Sequence, residues 1–543
     1  MNVNNSGFRI RNHVLEGEQV SYNANYNSVG KFVLDRLESN PALTGQIDTA
    51  TGEIYTFGKM RERSVRCALW MKSQGLIPRD VIAIYSEHQL DAMIPCYAAL
   101  YLGAISTASD VALETSDFYH RLSVTKPKII FVSEKGVAAV EESVKATKLD
   151  AKIVVFGRCT GFIDFESAIA KQDAEEVMNF KCTPIESSRE IALILFSSGT
   201  TDLPKDPAMS HAALLMQFCI KSEIFGMDGK ICLYLPHFSW ITGLHCSFMS
   251  LGWGIPRLIT KVFDEPSIFA IIEKYKVNWL HVSPGMLNRF LKSDVLGLYD
   301  LSSLTRVIFS GTPLSTTSYE ALSKRFPKIQ IVVNYGTTEV GCVSLQSLDS
   351  GLTTFCGKIV ENAKLKVIDP DTNRLLGPSE KGELLLKSTF MMNSYYENPE
   401  ATAEIVDEEG WVHSGDFGYY DENGNVFVIN RIKEIIWYHG RNVYPSEIEN
   451  LILTHPGVME VAVVGQPHLD DVEHPIAFVV RVTGSDIREE ITETEIVDLV
   501  AARMPDHYRL RGGVTFLDDI PKTSTGKFQR RKLRDLARAM VTP

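Results

Sequence analysis

Short β-rich apolar runs recur along this chain with helical segments between them, and that alternation constrains the fold more than any other feature. KIIFVS (128–133), AKIVVFG (151–157), IALILF (191–196), ICLYLP (231–236), RVIFS (306–310) and IQIVVN (329–334) have the length and branching of buried strands. MRERSVRCALWMKSQGL (60–76) and DAMIPCYAALYLGA (91–104) instead repeat at helical spacing. Strands that alternate with helices build α/β layers around largely parallel sheets. A chain of 543 residues exceeds one hydrophobic core, so a large body with at least one further domain is expected.

After residue 360 the texture changes. KLKVIDPDTNRLLG (364–377), GELLLKS (382–388) and YYDENGNVFVIN (419–430) are strand–turn–strand signals, which predicts a β-rich subdomain over about 360–429. From 430 to 543 the chain has helices and strands of its own, in SEIENLILTHPG, MEVAVVG, PIAFVVRV and TEIVDLVAARM, enough for a small α+β domain. Ser446 and Glu449 have the spacing of a capping box. The expected organisation is a large N-terminal domain, 1–429, followed by a small C-terminal one, 430–543.

Composition narrows the function classes. Net charge is −12 and basic runs are short, so neither nucleic acid nor an anionic membrane is the expected partner. Nine scattered cysteines without a CxxC pair suit reduced thiols and offer no zinc motif. No stretch approaches a membrane span, the N-terminus lacks an apolar h-region, and the chain ends Met-Val-Thr-Pro rather than in a Ser-Lys-Leu type signal. A cytoplasmic protein acting on a small molecule is the expectation; no protein partner is deducible.

The run IALILF leads directly into SSGTTDLPK. A strand that opens into a hydroxyl- and glycine-rich turn can present backbone N–H groups and hydroxyls of Ser197, Ser198, Gly199, Thr200 and Thr201 to phosphate oxygens, with Lys205 as a mobile cation. The spacing is not that of a P-loop NTPase. By itself such a stretch reads more readily as a polar surface loop, and the phosphate cradle needs support from elsewhere in the chain.

Four further blocks follow in order: NYGTTEVG (334–341), HSGDFGYYDENG (413–424), NRIKEIIWYHGRNVYPSEIE (430–449) and RGGVTFLDDIPKTSTGKFQRRKLRD (511–535). Together with SSGTTDLPK they resemble the adenylate-forming superfamily of acyl-CoA synthetases, coumarate ligases and beetle luciferases, and the luciferase-like synthetases of insects in particular. The resemblance implies a mobile C-terminal lid with a hinge near 430, use of ATP, Mg²⁺ and CoA, and a carboxylic acid substrate. It also leaves a peroxisomal location open. It implies Thr338 at the α-phosphate, Glu339 on Mg²⁺, Tyr335 against adenine with Asn334 and Gly336 beside it, and Gly311, Thr312 and Pro313 lining adenine and the acyl group. It further implies Asp416 on the ribose hydroxyls, Arg431 as a nucleotide contact and Lys527 as the catalytic lysine. The chemistry suits these residue types. An ionised carboxylate is acceptor-only with two oxygens, and a positioned ammonium stabilises charge gathering on phosphate oxygens in a transition state.

The departures from the family pattern are equally specific. Asp202 and Asp206 stand where the family has glycines. At about 6 Å and an effective dielectric of about 20, each carboxylate would repel a phosphate by roughly 3 kcal/mol before screening; the alternative is that the carboxylates point outward or pair with Lys205 and leave the cradle usable. Register from Pro236 puts Ser239 at the family's histidine, with His237 two residues earlier; a lone histidine is more often structural. The loop Ser310–Pro313 is one residue short, Asn430 replaces an aspartate, Trp437 a lysine, and Gln217 the arginine of bright luciferases. The leading expectation is an ATP-dependent acyl-CoA synthetase for a medium or long fatty acid or another apolar acid. A degenerate homologue that binds without turnover is the first alternative, and a luciferase-like monooxygenase the second.

Overall fold

A computed structural model describes residues 7–20, 26–111, 115–196, 205–218, 230–309, 316–346, 356–482, 491–522 and 527–541. Two largely parallel sheets form the body. In the first, Val81–Tyr85, Ile105–Ser109, Ile129–Ser133, Lys152–Phe156 and Ile191–Ile194 pair in parallel, and Pro207–Ser210 extends one side antiparallel to Ile191–Ile194. The second carries Thr44–Asp48, Arg257–Ile259, Cys232–Tyr234, Trp279–His281, Arg306–Phe309 and Gln330–Thr337 in parallel, with Gly341–Leu345 turning back along the last of these. The α/β layers expected from alternation are present.

The largest core lies where the helices Val29–Ser39, Phe57–Ser73 and Ile94–Tyr101 pack on the first sheet. All eight residues of Ile94–Tyr101 are buried, which explains why its sequence is apolar around the whole circumference rather than along one stripe. Pro95 occupies its first turn, where a missing N–H breaks no helical bond.

The β-rich segment after 360 forms an antiparallel sheet of Ala363–Ile368, Gly382–Ser388, Val412–Tyr420 and Val426–Arg431. The hairpin Phe8–Arg11 and Val14–Gly17, more than three hundred residues earlier in the chain, completes it: Val14–Gly17 pairs with Ala363–Ile368. Sequence reading left that long-range pairing unassigned. Ser394–Tyr395 leaves this region to pair with Pro207–Ser210, tying it to the first sheet.

Beyond Arg431 a separate sheet of Arg441–Val443, Ile436–Tyr438, Val472–Arg481, Val458–His468 and Val514–Phe516 carries its own core. The amphipathic helix Arg530–Val541 buries Leu533 and Ala537 against it. The capping box expected from Ser446 and Glu449 does not form. The helix Pro445–Ile452 starts without a side-chain cap, Ser446 Oγ donates to Ile429 O, and Glu449 is buried against Arg530 at 2.6 Å. A bidentate guanidinium partner in the interior outweighs a terminal N–H. The helix Glu493–Arg503 does carry a capping box, from Thr492 and Glu495. Among the described residues no helix is long and apolar enough to cross a membrane.

Candidate active site

Parallel sheets gather ligand-binding groups at the carboxyl ends of their strands. Here the strand Gln330–Thr337 ends in the turn Thr338–Val340, which presents Glu339 half-buried. Gly336 is required at this end by close backbone approach, since a Cβ there would lie 2.1 Å from Gly341 O. Asn334 Oδ1 and Thr337 Oγ1 are buried without a hydrogen-bond partner among the described residues, so the strand end holds polar groups suited to a polar ligand.

Asp416 is the centre of the site. It lies buried in the strand Val412–Tyr420, and its N–H donates to Ser414 Oγ at 3.0 Å, which fixes the backbone of HSGD. Tyr335 Oη donates to Asp416 Oδ2 at 2.8 Å, and Arg431 Nε stands 2.8 Å from Oδ1. Burial raises the carboxyl above its usual range, while Arg431, the Tyr335 hydroxyl and Lys527 pull it back. Each carboxylate oxygen still has a lone pair for a ligand hydroxyl.

Lys527 reaches this cluster from the last segment of the chain. Burial and the neighbouring Arg431 push its ammonium below the ordinary lysine value, and Asp416, Glu339 and Glu434 oppose that shift. Glu339 Oε1 accepts a 2.9 Å hydrogen bond from Tyr395, over whose ring Lys205 Nζ sits at 5.2 Å. Lys205 also pairs with Glu404 at 3.4 Å. Lys205, Glu339, Tyr335, Asp416, Arg431 and Lys527 are thus joined in one polar cluster. Sequence reasoning missed Tyr395 and Glu434. Glu434 lies within the quoted block 430–449 but was given no role there, and Tyr395 lies outside every quoted motif and arrives only through the Ser394–Tyr395 pairing.

Ser197–Thr201, Asp202 and Gly311–Pro313 lie outside the described residues. Asp206 is described and buried. Its side chain sits within the field of Arg121, whose guanidinium covers the Phe196 ring at 3.9 Å and donates to Ser109. One Asp206 oxygen has no hydrogen-bond partner among the described residues, and burial raises the carboxyl to about 7.

The departures at His237, Ser239 and Gln217 also have defined places. His237 Nε2 must donate to Ser86 O at 2.8 Å, because a carbonyl only accepts. That leaves Nδ1 to accept from Ser239 Oγ at 2.7 Å and from Ser239 N at 3.1 Å. A buried neutral imidazole with every position used is a structural histidine, and burial lowers its pKa accordingly. Gln217 Nε2 donates to Phe390 O at 3.0 Å. The Trp437 side chain is exposed, and its backbone N–H donates to Glu473 at 3.0 Å.

Residues 34–396 match the family model of AMP-binding enzymes, and residues 447–527 match that of the AMP-binding enzyme C-terminal domain. The chain belongs to the AMP-binding, adenylate-forming enzymes. It is 32% identical to a luciferin 4-monooxygenase of Nipponoluciola cruciata over 91% of each chain, and 30% identical to 4-coumarate--CoA ligase 2 of Nicotiana tabacum over 92% of each. Among solved structures it resembles the luciferase-like enzyme of the nonluminescent mealworm Zophobas morio, with a TM-score of 0.72 and 34% identity over 78% of this chain and 99% of that one. An anthranilate CoA ligase shares the fold at a TM-score of 0.84 and 21% identity, covering 94% of this chain and 98% of the other.

Proposed function

We propose that this member of the adenylate-forming family activates an apolar carboxylic acid with ATP and passes it to CoA. The supporting observation is the meeting of Lys527 with Asp416, Arg431 and Glu339 at the carboxyl end of a parallel strand. In the first half-reaction a carboxylate oxygen attacks the α-phosphorus, the bond to the β-phosphate breaks, and pyrophosphate leaves with the electron pair. In the second, a thiolate attacks the acyl carbon, the C–O bond breaks, and AMP departs.

The chain's own residues divide that work. Asp416, oriented by Tyr335 and Ser414, accepts from the ribose hydroxyls; Arg431 neutralises it and faces the nucleotide. Lys527 stabilises charge on the phosphate oxygens as the Pα–O bond forms, a contribution greater in the transition state than in the separated reactants. Lys205 and the loop 197–201 meet the outer phosphates. Thr338 lies beside the α-phosphate. Glu339 suits Mg²⁺, which binds through one or two carboxylates plus phosphate oxygens and neutralises polyphosphate charge when bound. Residues 1–429 form the nucleotide-binding body, with a β-rich subdomain over about 360–429, and 430–543 form a lid that turns near Asn430 between the two steps.

The test is pyrophosphate release and thioester formation with ATP, CoA and a panel of aliphatic and aromatic acids. Turnover that disappears in Lys527→Ala supports the reading; absence of pyrophosphate from every acid refutes it. A second reading, binding without turnover, is favoured by the Ser239–His237 pair and by the exposed Trp437 at the lysine position. Calorimetry that detects Mg-ATP binding in a protein inactive on the whole panel selects it.

A further inference from the structure

Away from this site, the described residues gather nitrogen and oxygen donors at one other place. The donor atoms of His468, Asp471 and His474 all lie within 4.8 Å of one another. His474 Nε2 is 2.6 Å from Asp471 Oδ2, and His468 Nδ1 is 3.5 Å from the same oxygen. His439 Nε2 approaches the other oxygen, Oδ1, at 2.5 Å. Three imidazoles therefore converge on one carboxylate.

Two hairpins supply them. His439 is in the turn between Ile436–Tyr438 and Arg441–Val443, with φ of 47°. His468 ends Val458–His468 and pairs with Val472 across the tip that holds Asp471, while His474 follows on Val472–Arg481. Tyr438 pairs with Val472, so the hairpins lie side by side. Val472 has φ of 69°, a conformation a β-branched residue rarely adopts, and it holds the tip folded with Asp471 directed between the imidazoles. Arg511 is held by Asp506 and lies over the Tyr438 ring at 4.4 Å.

We propose that His439, His468, Asp471 and His474 form a binding site for a divalent first-row metal ion of the zinc class. The donor set decides the metal. Imidazole with one carboxylate suits zinc and its neighbours, whereas Ca²⁺ and Mg²⁺ demand oxygen donors. Zn–N bonds of about 2.0–2.1 Å in a tetrahedron place donor atoms about 3.4 Å apart; the donors of His468, Asp471 and His474 lie within 4.8 Å of one another, and His439, joined to them through Asp471 Oδ1, would complete the shell by rotation of its exposed side chain. The ion would pin the hairpin that carries Trp437 to the 468–472 tip.

The experiment uses the full-length, metal-stripped protein titrated with Zn²⁺ alone against a chromophoric chelator, with Co²⁺ absorption as a report of geometry. One equivalent per chain is expected, with tetrahedral Co²⁺ bands. His439→Asn together with His474→Asn should weaken zinc binding at least a hundredfold. His439 is more than half exposed on a turn, so His439→Asn alone preserves packing and must weaken it at least tenfold. No zinc retained against the chelator, or affinity unchanged in these variants, overturns the proposal.

Discussion

Asp206→Asn tests the unusual residue of the phosphate-loop region by its effect on stability. In the folded chain the Asp206 carboxyl is raised from an ordinary 3.8 to about 7 by burial, partly offset by Arg121. A shift of about three units corresponds to about 4 kcal/mol. The folded-state value lies above the unfolded one. The protonated form is therefore the one the interior favours, its stabilisation is complete below the unfolded pKa near 4, and it is lost as pH rises through 7. Asparagine is close in shape and neutral throughout. At pH 8 the variant should be more stable than the parent by about 4 kcal/mol, at pH 5 by about a third of that, and near pH 4 the two should converge. Urea unfolding of the large α/β unit, followed by tryptophan fluorescence at several pH values, reads the difference directly. A gap that stays constant from pH 5 to pH 8, or a variant less stable at pH 8, would refute the assignment of a buried, weakly paired carboxylate.

Lys527→Ala should lower ATP–pyrophosphate exchange by about 10²–10³-fold while thermal melting stays within a degree or two, as expected for loss of one transition-state cation; near-normal exchange would remove Lys527 from the chemistry. Because burial and Arg431 depress its pKa, exchange should fall on the alkaline side below the ordinary lysine value, and Lys527→Arg should abolish that limb in whatever activity remains. Tyr335→Phe removes a donor from the buried Asp416, and its loss of about 1.5 kcal/mol should raise the KM for ATP roughly tenfold. Ser239→Ala should cost about 1 kcal/mol of stability through its bond to His237 yet leave exchange within threefold; a large catalytic defect would contradict the structural role of that pair.

How far the sequence reaches depends on what each residue's role requires. Alternating β and helical runs placed the strands Ile129–Ser133, Lys152–Phe156, Arg306–Phe309 and Gln330–Thr337, because apolar length and branching are local properties. Ordered motifs pointed to Tyr335, Glu339, Asp416, Arg431 and Lys527, which the fold brings together. Ser446–Glu449 had the spacing of a capping box, but spacing carries no information about Arg530, which is far along the chain and takes Glu449.

Sequence alone determined the layered α/β character, the family, and the chemical types at the candidate site. Tertiary structure alone decided that the residue 8–17 hairpin completes the β-rich sheet, that Tyr395 reaches Glu339, that Asp206 is buried near Arg121, and that three histidines surround Asp471. Periodicity and motif follow from neighbours along the chain. Burial, ionisation and donor geometry follow from neighbours in space, and those exist only after the segments have packed.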